Sequence, residues 1–173
     1  AGGALRFSGG ANKGKSDGGD VIINSGSSDA ANSGVIRIET ALGGTFGDSG
    51  AVVMQSGAAA GGKSGALTMG SGDAAGAGAV SIGAGSSRSG PGAPLELSAG
   101  ATDDNAVGGS VSMTTGHSAQ AGSGDLTMRS ASAGRFGDSG TVLVSSGDAF
   151  NGDSGTLRVF SGSSESGSGG AVL

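Results

Sequence analysis

The chain is 173 residues long; Gly, Ser and Ala fill 97 of those positions and Leu, Ile, Val and Phe only 30. That apolar share lies below the roughly 20 % under which chains usually stay disordered, yet 9 basic against 14 acidic residues leave a net charge of only −5, without the high charge that goes with disorder. With one His and no Cys, Trp or Tyr, the composition excludes disulfides and thiolate chemistry, and it argues against nucleic acid, which wants clustered cations and aromatic platforms.

In chain order, the scarce apolar residues recur as short alternating segments bounded by Gly and Ser. The first apolar position of each falls at Leu5, Val21, Ile36, Val52, Leu67, Val80, Leu95, Val111, Leu126, Val142, Leu157 and Val172. The second falls two residues later, at Phe7, Ile23, Ile38, Met54, Met69, Ile82, Leu97, Met113, Met128, Val144 and Val159. The two columns hold 23 of the 34 Leu, Ile, Val, Met and Phe residues, at spacings of 13 to 16. Period-two alternation between Gly and Ser punctuation predicts strands with one buried face. No segment carries the 3.6-residue period of a helix, and no apolar stretch is long enough to span a membrane.

The segments sort into two alternating kinds. Odd ones place Arg6, Arg37, Thr68, Glu96, Thr127 and Arg158 between the two columns, and even ones place Ile22, Val53, Ser81, Ser112 and Leu143 there. The repeat is therefore about 31 residues with two strands in each. Like residues in fixed columns, joined by linkers too long for ordinary hairpins, predict an all-β fold. It is a flattened two-sheet parallel β-solenoid of about six coils, forming a single repetitive domain over residues 1–173. In such a coil the glycines supply positive φ and close backbone approach, with Asp48, Asp138 and Asp153 of the recurring GDSG as turn residues of the same kind.

Twenty-three side chains make a small core for ordering so long a chain, and no polar cap closes either end. Assembly is expected to supply the rest. Leu5 and Phe7 at one end, with Val172 and Leu173 at the other, are candidates for end-to-end stacking, since the last segment stops before its second apolar position. Ile22, Val53, Ser81, Ser112 and Leu143 form the candidate self-assembly face. The chain starts at Ala rather than Met, which fits a processed protein or part of a longer array.

Motifs that resemble catalytic chemistry fit turns better. GGANKGKS (Gly9 to Ser16) and GAAAGGKS (Gly57 to Ser64) match a phosphate loop, but each leads into another Gly-bounded segment rather than a helix. GDSG resembles the nucleophile segment of chymotrypsin-like proteases; it occurs three times and the lone His117 cannot serve as base for all. Asp-rich turns offer oxygen ligands for calcium, but the GGxGxD repeat of calcium-binding β-rolls is absent and the acids read as turn formers. No catalytic residue, cofactor or metal is assigned.

Segments such as SGAVVMQSG (Ser49 to Gly57) and SGTVLVSSG (Ser139 to Gly147) resemble the Gly/Ser-rich β-solenoid repeats of microbial and algal extracellular and cell-surface proteins. The resemblance covers nearly the whole chain and implies a structural, secreted role; it transfers no catalytic residue. The expected function is a non-enzymatic homopolymer, an extracellular filament or surface appendage whose exposed Ser and Thr can carry O-glycans. The alternative is an adhesin-type module or stalk recognising glycan or mineral, and Phe46, Phe136 and Phe150 in the linkers are candidate anchors for either role.

Overall fold

The computed structural model describes residues 3–173, and the chain divides into two units after Ile82, the second being Gly83–Leu173. The all-β solenoid is corrected: the described residues form neither helix nor strand. A stacked solenoid would pair each segment with the one about 31 residues away. The six backbone hydrogen bonds among the described residues instead join residues two to nine apart.

What persists from the sequence pattern is its beat. One bend falls in every linker: at 14–16, 29–31, 45–46, 60–62 and 75–76 in the first unit, and at 88–90, 103–106, 119–121, 135–137, 150–152 and 165–167 in the second. One bend thus separates each apolar segment from the next, so segmentation by small residues is real even where sheet formation is not.

Four linkers are closed at a neck by one glycine pair. The amide of Gly19 donates to the carbonyl of Gly10 (2.8 Å), Gly34 to Gly26 (2.9 Å), Gly109 to Gly100 (2.9 Å) and Gly124 to Gly116 (3.1 Å). The chain thus doubles back at these linkers, which the linker lengths had argued against. Closing a loop of eight or nine residues costs about 1 kcal/mol less entropy than closing one of thirty-one. The local closure also needs no partner coil already in place. Glycine permits it sterically: a Cβ on Gly109 would stand 3.1 Å from the Gly100 nitrogen and 3.2 Å from the Ala99 Cβ.

Positive φ is not the general role of the glycines. Only Gly90 (φ 93°) and Gly137 (φ 109°) adopt it among the described residues, and no other residue type does, so Asp48, Asp138 and Asp153 are not left-handed turn residues. Linkers of this length distribute the reversal over several ordinary dihedrals, so a two-residue turn with its forced φ is unnecessary.

Serine organises three of the bends in one way. The Oγ of Ser28, Ser118 and Ser164 accepts the amide three residues on, from Ala31 (3.0 Å), Ala121 (3.0 Å) and Gly167 (2.9 Å). In each case the serine stands just before the bend and the donor is the bend's last residue. A hydroxyl that satisfies a backbone amide locally competes with ladder formation, which is one reason a chain this rich in Ser favours bends over sheet.

The predicted core is absent as well. No described residue is buried, and the half-buried ones are Gly9, Gly43, Thr115, Ser118 and Ser130, all small and all in linkers or at their edges. The accessible surface is 17190 Å² for 15.8 kDa. A compact protein of that mass exposes roughly 7,300 Å² and its unfolded chain roughly 22,900 Å². The single chain therefore keeps about three quarters of its extended surface.

Candidate functional site

The alternation of each segment carries through to the side chains. From Val21 to Val172 the first-column residues are 49–60 % exposed, whereas Ile22, Val53 and Leu143, between the columns, are 73–82 % exposed. The second-column residues reach further into solvent, up to 73 % at Leu97 and 75 % at Phe7. From Val21 on, the first column is therefore the most covered line of the segments, and the intervening side is open in the even segments.

Two odd segments show the same geometry through their polar side chains. Arg37 Nη2 lies 2.6 Å from Glu39 Oε2, and the guanidinium carbon of Arg158 lies 5.8 Å from the ring centre of Phe160. Each arginine reaches the residue two further along, on its own side of the segment. Both arginines are intervening residues of odd segments, so their side chains occupy the face that Ile22, Val53 and Leu143 leave apolar in even ones.

The candidate assembly residues divide between the units. Ile22, Val53 and Ser81 lie in Ala1–Ile82, and Ser112 and Leu143 in Gly83–Leu173; all five are exposed. In three even segments (Val21 to Ile23, Val52 to Met54 and Val142 to Val144) both sides are apolar. Leu5, Phe7, Val172 and Leu173 are exposed too. They adjoin no strand, so they present apolar surface rather than an open sheet edge.

The linkers present a second feature. Phe46, Phe136 and Phe150 sit in bends with their rings 90–102 % exposed, and each is followed within a few residues by Asp48, Asp138 or Asp153. The GDSG of each begins at the bend or just after it and leads into the next apolar segment. Sequence spacing alone marks these sites, since Phe-Gly-Asp-Ser-Gly or its one-residue expansion recurs only there.

Resemblances to catalytic motifs resolve into local turn chemistry. In GGANKGKS the Asn12 Oδ1 accepts the Gly14 amide at 2.6 Å, occupying a donor that a phosphate loop would aim at its ligand, and no helix follows. In the acidic linker, Asp104 accepts the Asn105 amide at 2.8 Å while its own amide donates to Thr102 Oγ1 at 3.2 Å. His117 is exposed. Among the described residues no three acidic or His side chains converge as a metal site, no cavity is enclosed, and no helix is long and apolar enough to cross a membrane.

The bend serines and the Arg37 and Arg158 pairings are organising contacts that apolar spacing did not single out. Position before the bend does not by itself mark these serines, since Ser87 also precedes its bend, at 88–90, yet its Oγ donates to the Ser89 carbonyl instead. No family model, curated protein or solved structure matches the chain.

Proposed function

We propose that this chain is a structural protein that self-assembles into an extracellular filament or surface appendage, in which neighbouring copies cover the apolar segments that one copy leaves open. The observation that carries this reading is the pairing of apolar columns in the sequence with the absence of any buried residue among the described residues. Apolar side chains left about half exposed or more gain about 25 cal/mol for each Å² that a neighbour removes from water, and a chain with no core among its described residues depends on that gain. The route is lateral packing through Ile22, Val53 and Leu143 and through the columns, without the stacking of coils. Low net charge lowers the repulsion between copies.

A second reading, an adhesin-type module, draws on Phe46, Phe136 and Phe150. Exposed rings beside carboxylates suit a sugar face and its hydroxyls.

Sedimentation velocity over a concentration series, followed by electron microscopy, tests the first reading. Concentration-dependent growth into elongated particles is the expected result; a monomer at every concentration overturns it. Retention on a glycan column that is lost when all three phenylalanines are changed to Ala would favour the second.

A further inference from the structure

All four methionines of the chain occupy the second apolar column: Met54, Met69, Met113 and Met128. They come as successive segments, two in each unit, and their side chains are 58–63 % exposed. The remaining second-column residues are Phe, Ile, Leu or Val, whose polarity mild chemistry does not alter. Methionine differs, because its thioether is soft, flexible and oxidisable.

We propose that these four methionines form an oxidation-sensitive set that controls association of the chain with copies of itself, a proposal that rests on the self-assembly reading above. The reaction is oxygen transfer from a peroxide-class oxidant. A sulfur lone pair attacks one peroxide oxygen, the O–O bond breaks, and hydrogen peroxide is reduced to water as the sulfur rises by two electrons to the sulfoxide. Reduced, the column is continuously apolar. Oxidised, each unit carries two dipolar S=O groups, one in each of two consecutive segments, on the surface a second copy would cover, and burying such groups without hydrogen-bond donors is unfavourable. Each methionine is more than half exposed before association, whereas association would cover it, so oxidation and assembly oppose one another through the same side chains.

The test uses the full chain with hydrogen peroxide as the oxidant. Peptide mass mapping follows sulfoxide formation at each methionine, and light scattering follows assembly before and after treatment. Oxidation of all four sites should raise the concentration needed for assembly about tenfold or more, and methionine sulfoxide reductases of both stereospecificities should restore the original value. The M54L/M69L/M113L/M128L variant, compared with its own untreated sample, should show no response to peroxide. Equal assembly of oxidised and reduced protein, or a peroxide response that persists in the four-leucine variant, overturns the methionine proposal and leaves the self-assembly reading standing. Failure of the untreated protein to assemble at any concentration overturns both.

Discussion

Arg37 and Glu39 form an ion pair at 2.6 Å across a single intervening residue, Ile38. The pairing places both charged side chains on one side of the segment and leaves Ile36 and Ile38 on the other. It shows the alternating pattern expressed in this segment although no ladder forms among the described residues. The pair is exposed on both partners and is worth at most about 1 kcal/mol. Its consequence lies in polarity: it keeps the intervening face of this odd segment charged.

Changing that face should therefore alter association more than stability. Arg37→Ile or Arg158→Leu gives an odd segment two apolar sides, like Val21 to Ile23. Each variant should assemble at a severalfold lower concentration, read by light scattering. An unchanged threshold would show that the intervening face takes no part in association.

The reverse substitution should block it. Val53→Lys combined with Leu143→Lys puts a cation on the open side of one even segment in each unit, where the native residues are exposed and contribute no core. Sedimentation should show the monomer persisting to at least about tenfold higher concentration, since each buried unpaired charge would cost well over 1.4 kcal/mol. The backbone circular dichroism of the monomer should not change.

Bend order should respond to single hydroxyls. Ser118 is half-buried and its Oγ accepts the Ala121 amide at 3.0 Å and the Gln120 amide at 3.4 Å. Ser118→Ala removes this shared acceptor at a cost of about 1 kcal/mol. Amide exchange at Ala121 should accelerate about fivefold, while exchange at Ala31 and Gly167, in bends held by their own serines, stays as it was.

Neck closure should depend on the missing Cβ. Gly109→Ala forces a methyl against the Gly100 nitrogen and the Ala99 Cβ, so the Gly109 amide should lose its bond to Gly100 and exchange at the rate of an open chain. Gly122→Ala has open space around the new methyl and should leave the neighbouring Gly116 to Gly124 bond intact. Native-like exchange in Gly109→Ala would show that the neck does not need glycine.

Asn151 should be the first residue to deamidate. It is the only Asn followed by Gly, it lies in the exposed bend at 150–152, and a Cβ on Gly152 would meet nothing within 4 Å. The Gly152 nitrogen can attack the Asn151 side-chain carbonyl, expelling ammonia, and water then opens the succinimide to Asp or isoaspartate. Asn12 is held by its bond to the Gly14 amide. Mass mapping after incubation at mildly alkaline pH should find acid at 151 well before it appears at 12, 24, 32 or 105, and Asn151→Gln should suppress it.

Local features are legible in the amino-acid sequence. Where bends fall, which residues stand in columns and which stand between them follow from residue size and period-two alternation, because both depend on neighbours two or three positions away. The bends fall in the linkers between the alternating segments, but the described residues of those segments form no strands and do not pair. The predicted 31-residue coil requires ladders between distant segments and a core of 23 side chains. Neither depends on local spacing, and regular columns are equally compatible with chain reversal at each linker.

The number of segments, the linker rhythm and the two-sided chemistry of each segment are properties of residue order alone. How the chain closes was a matter for the tertiary structure. A Gly10 to Gly19 or Gly116 to Gly124 neck closes a short loop with one hydrogen bond, and serine hydroxyls satisfy bend amides where a sheet would have competed for them. With so few large side chains, no distant contact is strong enough to override that local closure, and the apolar columns remain open to whatever the chain meets next.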